Sequence, residues 1–366
     1  MTRPRNIWKK LSVFGSLFGL TLFQSSTSYG IESTIQSSSS ENWPHQTGFV
    51  VPNKWNHGKN FVTQSILSAK GDVPAKFDWR TSTSLFPIRD QGGCGSCWAF
   101  STAATLSDTI MIKDQQSKDI SEQHMVSCDK HGWNCSGGFW AFDMYETEGL
   151  VYEKDLPYKA TNGTCPASLP RNEKIANWAY VGKPVDLAPA DEDLKRAIYE
   201  FGPISVAVNV TSAFQFYRGG VFSSCVPTTT KELNHAVNIV GWNDEGGYWI
   251  MRNSWGRSWG ESGYMKIKYG CNGIGSAAAY VNYKPTCENQ PVANAGQDFK
   301  IKLGESVKIG SLDLTGKDFS WYPTDTLDDP TSPTPTATPT ESTIYTVTVK
   351  TECGIAASQM EIDLEE

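Results

Sequence analysis

The sequence predicts an α+β body with two lobes, followed by a small all-β sandwich. Three observations carry that prediction. Between Cys97 and Phe201 apolar residues recur at helical spacing, and from Ile204 to Tyr269 they gather in short, Gly-punctuated runs of β-formers. Beyond Cys287 they alternate with polar residues over several stretches. Helices first and strands second is the order of an α+β domain, and 366 residues suffice for two domains at roughly 150 each.

Taken in order, Cys97 to Lys113 carries Phe100, Ala103, Ala104, Ile110 and Met111 at helical spacing, with Ser96 placed to cap its start. Shorter helices are predicted at Ser121–Cys128, at Phe139–Glu148 before Gly149, and at Asp191–Phe201, which Gly202-Pro203 ends. Strands follow at Ile204–Val210, Ala236–Trp242, Tyr248–Arg252 and Tyr264–Tyr269. In the last part, Phe299/Ile301/Leu303, Val307/Ile309, Tyr345/Val347/Val349 and Met360/Ile362/Leu364 each alternate with polar residues, the pattern of a sandwich. The Pro/Thr tract from Pro330 to Thr340 reads as an extended loop within it.

Composition narrows the function. Hydrophobic residues make up 39% and charged ones 19%, enough apolar material for a packed core. A net charge of −7, with no basic cluster beyond the first ten residues, argues against nucleic acid as a partner. No P-loop, HExxH or EF-hand pattern occurs, so no metal or cofactor is expected.

Arg3, Arg5, Lys9 and Lys10 precede an apolar run from Leu11 to Phe23, and Ser28-Tyr29-Gly30 offers small residues where a signal peptidase reads. Residues 1–30 are therefore read as a secretory signal, not an anchor, because the run is short of the roughly 20 residues a span needs. Export would leave no membrane span and would place nine cysteines in an oxidising compartment, where an odd count leaves one thiol over. The Ser-rich, weakly periodic residues 31–72 make no core of their own and read as a pro-segment or linker.

The chemistry centres on Gln91-Gly-Gly-Cys-Gly-Ser-Cys-Trp-Ala-Phe-Ser101, where two cysteines stand at a helix start. Unpaired N–H groups and the macrodipole stabilise a thiolate there. The pair could be zinc ligands, a dithiol redox centre, or a nucleophile beside a structural bridge. A nucleophile needs a base, and there are five histidines. His45 and His57 lie in the pro-segment; His124 and His131 read as ordinary surface residues. His235 opens the apolar strand Ala236–Trp242, so a rigid element would hold its ring. Asn253, ending the next strand, could accept a ring N–H, with Trp255 shielding that bond.

These segments resemble the papain-like (C1) cysteine proteases. His235 lies 138 and Asn253 156 residues after Cys97. That family's known signature places the His and Asn about 130–150 residues after the nucleophile, so the His interval falls within it and the Asn interval slightly beyond. The similarity spans about residues 73–283. It includes Asp78-Trp-Arg80, Ser121-Glu-Gln123, Cys135-Ser-Gly-Gly138 and Asn253-Ser-Trp-Gly-Arg-Ser-Trp-Gly260.

The resemblance implies a two-lobed papain-like fold, with a helical left lobe and a β-barrel-like right lobe over residues 73–284. Cys97 would be the nucleophile, ion-paired with His235; Asn253 would orient the ring, and Gln91 would help form the oxyanion hole. Gly137 and Gly138 would bind substrate backbone, with Phe139, Trp140, Ala207, Ala236 and Ser276 lining an apolar specificity pocket. It implies bridges Cys94–Cys135, Cys128–Cys165 and Cys225–Cys271, leaving Cys287 and Cys353 for the tail and Cys97 free. It further implies a zymogen that cuts protein or peptide chains internally and is inhibited by its own pro-segment. Residues 285–366 resemble the PKD or immunoglobulin-like modules of secreted enzymes, which would serve as a spacer or bind a surface, matrix or partner.

Overall fold

The computed structural model describes residues 43–52, 73–182, 188–285, 291–311, 318–351 and 353–365. The readings of residues 1–30 as a signal and of 31–42 and 53–72 as pro-segment, together with His57 and Cys287, lie outside them.

The first part opens with β1 (Lys76–Asp78) and α1 (Trp79–Ser82), then the long α2 (Cys97–Asp114), α3 (Glu122–Cys128) and α4 (Phe142–Thr147). Next come β2 (Asn177–Tyr180), α5 (Asp191–Phe201), β3 (Ile204–Val208), α6 (Ser212–Gln215), β4 (Val221–Phe222), β5 (His235–Asn243), β6 (Tyr248–Arg252), β7 (Tyr264–Lys268) and β8 (Ser276–Asn282). Eight strands form one sheet in the order β2-β8-β3-β5-β6-β7-β4, with β1 paired to β5.

Two apolar clusters define the lobes. One gathers α2–α4 around Trp98, Leu106, Met125, Phe139, Phe142 and Trp178. The other fills the sheet with Ile198 of α5, Val206, Ile239, Trp249, Met251 and Trp259. Helix α2 lies between them, with fifteen of its eighteen residues buried, including Ser101, Thr105 and Asp108. Three sequence expectations change here. Ser96 precedes α2 without a capping bond, and its hydroxyl meets Tyr158 Oη at 2.6 Å instead. Helix α4 starts three residues after Phe139, because Phe139–Ala141 are spent as buried wall. His124 is not a surface residue: it is fully buried, its Nδ1 facing Tyr145 Oη at 3.3 Å while Nε2 accepts from Arg171 Nη1 at 2.7 Å. Burial beside that guanidinium lowers its pKa to about 4, so the ring is neutral.

Residues beyond 290 fold into β9 (Phe299–Lys302), β10 (Val307–Lys308), β11 (Asp318–Tyr322), β12 (Thr336–Ala337), β13 (Thr343–Thr351) and β14 (Gly354–Glu365). A four-stranded sheet, β11-β13-β14-β9, and the pair β10-β12 enclose Ile309, Trp321, Ala337, Tyr345, Val347 and Met360. Strand β14 also rests on the first part. Gln115, left-handed at φ 52° past the end of α2, donates from Nε2 to the carbonyl oxygens of Thr351 and Gly354. Tyr199 of α5 bonds Ser358, and Ala357 packs on the sheet-lobe cluster.

Candidate active site

The turn Gln91–Ser96 delivers both a side-chain amide and the start of α2. The disulfide Cys94–Cys135 pins it, and Gly95 N–H donates to the Cys135 carbonyl at 2.9 Å. Cys97 is then the first residue of α2, wholly buried, and is the free cysteine among the described residues. Cys128–Cys165 and Cys225–Cys271 also form, as the resemblance implied. Cys353 is disulfide-bonded too.

His235 begins β5, opposite Val208 of β3, and its neighbour Ala236 brings its N–H to the Cys97 sulfur. Asn253 follows β6. Its Oδ1 accepts the Ser254 N–H at 2.8 Å and lies 2.8 Å from His235 Nε2. An oxygen already accepting from one N–H can only accept from the ring, so Nε2 carries the proton and Nδ1 keeps its lone pair. Nδ1 is buried without a hydrogen-bond partner. The Trp255 indole covers the ring at 4.6 Å and is itself held edge-on by Trp259 at 5.2 Å. Gln91 is fully buried; Ser254 Oγ donates to its Oε1 at 2.7 Å, which aims Nε2 toward the cleft.

The cleft is occupied by the chain itself. Residues 45–50 run along it, with Gly48 and Phe49 N–H donating to Asn234 O at 3.0 and 2.9 Å. Val50 N–H donates to Gly138 O and Gly138 N–H to Gly48 O, each at 2.9 Å, a parallel pairing. Gly138 must be glycine, since a Cβ would fall 2.5 Å from the Trp98 ring. Phe49 enters the apolar pocket, 5.2 Å from the Phe139 ring and 4.8 Å from that of Trp140, in a cluster that also holds Ala207, Ala236 and Ala277. The Trp140 indole bonds Ala277 O at 2.9 Å, while Ser276 lies buried opposite Ala207. At the other end His45 stacks on Trp255 at 4.8 Å, clamped by Gln215: its N–H donates to Oε1 at 3.2 Å and its carbonyl accepts from Nε2 at 3.0 Å. Between them the Gln46 carbonyl accepts from Trp255 Nε1 at 3.0 Å and Gln91 Nε2 at 3.2 Å.

This plug changes the electrostatics. Burial pushes the Cys97 thiol up to about 12, against the lowering effect of the Ala236, Gly48 and Trp98 N–H groups. Burial likewise brings His235 down to about 4, opposed by its bond to Asn253. Covered in this way, Cys97 and His235 are each held toward their neutral forms, whereas the resemblance implied an ion pair between them. The resemblance implied an inhibitory pro-segment over residues 31–72, and residues 45–50 are its described part in the cleft; Gln215 and Asn234, which hold it there, are features that sequence reasoning missed. Asn234 adjoins His235, but it meets the segment through its backbone carbonyl, which no side-chain pattern marks.

Comparison with known proteins agrees with the geometry. The sequence profile of the papain family cysteine proteases matches residues 73–283. A cysteine proteinase of Brassica napus, COT44, is 41% identical over 229 residues, covering 58% of this chain and 67% of that one. A viral cathepsin of Adoxophyes honmai nucleopolyhedrovirus is 36% identical, over 59% of this chain and 64% of the relative. The chain thus spans about two thirds or less of the curated relatives' length. Among solved structures, a Carica candamarcensis cysteine protease bound to E-64 is matched along its whole length and 58% of this chain, with TM-score 0.52 and 31% identity. Digestive procathepsin L2 of Tenebrio molitor gives TM-score 0.58 at 30% identity, covering 65% of this chain and 78% of that one. With the profile spanning more than half of its residues, this chain belongs to the papain family of cysteine proteases.

Proposed function

We propose that the protein is a secreted cysteine endopeptidase, made as a zymogen, that hydrolyses peptide bonds through a thioester on Cys97. The observation that carries this is the His235 ring, its Nε2 tied to Asn253 and its Nδ1 bare, at the edge of a strand whose next N–H touches the Cys97 sulfur. In the cleared cleft water returns, the thiol proton passes to Nδ1, and the helix start and backbone N–H groups hold the thiolate. The thiolate attacks a peptide carbonyl. Gln91 Nε2, released from Gln46, and the Cys97 N–H stabilise the oxyanion, and His235 protonates the leaving amine. Water then attacks the thioester, with His235 taking its proton.

Gly137 and Gly138 would bind substrate backbone, and Phe139, Trp140, Ala207, Ala236 and Ser276 would select an apolar or aromatic residue second before the cut. The seating of Phe49 against Phe139 and Trp140 supports that preference. Domain limits follow the sequence reading: signal 1–30, pro-segment 31–72, peptidase 73–284, and a PKD- or immunoglobulin-like sandwich 285–366 available for a surface or matrix ligand. Peptide ligation on the same thioester, or binding without catalysis, are the alternatives. One assay decides: label the matured protein with a thiol-directed epoxide and follow a fluorogenic peptide with and without added amine. A Cys97 adduct with hydrolysis insensitive to amine is expected. No adduct would end the catalytic reading, and amine-dependent product would favour the ligase.

A further inference from the structure

Cys97, Ser101, Thr105 and Asp108 stand at i, i+4, i+8 and i+11 of α2, one face of a helix, and that face is turned to the sheet lobe. Its bonds across the lobes are polar. Ser101 Oγ donates to Val237 O at 2.9 Å; Asn238 Nδ2 donates to Ser101 O at 3.0 Å and to Thr105 Oγ1 at 2.9 Å. The row ends at a buried ion pair, Arg252 Nη2 to Asp108 Oδ2 at 2.6 Å, with side chains 4% and 0% exposed. The pair meets off the hydrogen-bond line. Its aligned bonds go instead to one residue: Asp108 Oδ1 accepts Phe86 N–H at 2.7 Å, and Arg252 Nη1 donates to Phe86 O at 3.3 Å.

Three segments therefore converge on one node. Asp108 belongs to the helix that begins with Cys97. Arg252 directly precedes Asn253. Phe86 lies five residues before Gln91 on a stretch that pairs onward with the Asn253 side, through Gln91 N–H to Ser254 O at 2.9 Å and Gly256 N–H to Arg89 O at 3.0 Å. We infer that Asp108 and Arg252 are positioning residues for catalysis, fixing the thiol, the amide that orients the imidazole, and the oxyanion donor against one another across the lobe boundary. A clamp built only for stability has no need to grip both backbone groups of the residue leading to Gln91. Replacing an ion pair by apolar side chains often leaves a fold stable, so the pair's worth lies in geometry. This inference rests on the catalytic roles proposed above for Cys97, Asn253 and Gln91.

The test uses matured parent, R252K, D108N and D108A, each titrated with a thiol-directed epoxide so that rates refer to competent sites. R252K keeps the charge but loses the fork that serves Asp108 and Phe86 together. Its kcat per titrated site is expected to fall tenfold to about a hundredfold, the cost of a small misplacement, with KM little changed and the pH profile of epoxide inactivation displaced. D108N keeps an acceptor for Phe86 and is expected to lose less than D108A. A parent-like kcat and inactivation profile in all three variants, whatever their melting temperatures, would overturn the inference. A parent that neither labels at Cys97 nor cleaves peptide would instead remove the catalytic reading itself.

Discussion

Gln91 illustrates how a single amide is held in place at the cleft. Ser254 fixes its oxygen, and the nitrogen donates to the Cys94 carbonyl at 2.9 Å and, across the cleft, to that of Gln46 at 3.2 Å. Losing one such donor typically costs on the order of 3 kcal/mol of barrier stabilisation, so Gln91→Ala is expected to lower kcat about a hundredfold in a fluorogenic assay of the mature protein. His45 governs a different property. Burial over Trp255 lowers its pKa, the Asp90 charge raises it and Arg218 lowers it further. A histidine held below its ordinary value resists protonation only while docked. As pH falls through about 6.5 the released imidazole takes up a proton that the docked one refuses, so acid weakens the plug. The thiol and imidazole add nothing to this slope if they share one proton both when covered, as the neutral pair, and when cleared, as the ion pair. Activation of His45→Phe should therefore depend less on pH than that of the parent, when initial rates are followed between pH 7 and pH 5.

Among the elements, the plug is an extended segment joined to Gly138 by an isolated bridge, anchored by Trp43 on one lobe's cluster and by Phe49 and Val51 on the other's. Removing the Phe49 ring forfeits about 2–3 kcal/mol of burial, so Phe49→Ala should raise the peptidase activity of the unprocessed chain by roughly thirty- to a hundred-and-fiftyfold. Unchanged latency would mean that other segments hold the cleft shut. The elements also show what the sequence could disclose. α5 is bounded as read at Asp191 and Phe201, because its apolar stripe and Gly202 are local signals. The start of α2 at Cys97 was equally legible, but its environment was not. Its apolar residues at helical spacing mark one face, but nothing local marks the polar face of Ser101, Thr105 and Asp108 as buried until Asn238 and Arg252 arrive from far along the chain. β2 and β8 escaped reading, since Asn-Trp-Ala-Tyr and Ser-Ala-Ala-Ala-Tyr-Val-Asn are short or dominated by small residues with little strand preference. The catalytic constellation was recognised through its resemblance to a family; spacing alone left redox and zinc readings open.

At the scale of the whole molecule, the all-β tail is docked and not strung on a tether. Gln115 caps into β14, and Gly354, at φ +153°, sits so close that a Cβ would come 2.5 Å from the Lys113 carbonyl oxygen at the end of α2. Independent motion is the usual expectation for neighbouring domains with small contacts. Here a side chain at Gly354 must push the two parts apart, so Gly354→Val is expected to split a joint thermal transition into two in scanning calorimetry. A single transition at the parent's temperature would show that the contact carries little of the coupling.

The lid of backbone over Cys97 has one more effect. Oxidants attack thiolates far faster than thiols, and a sulfur held as a protonated thiol beneath Gly48 presents neither charge nor access to peroxide or to a stray disulfide. On the reading proposed above, latency and chemical preservation would arise from the same few atoms: an exported precursor would keep the Cys97 thiol intact until the segment departs.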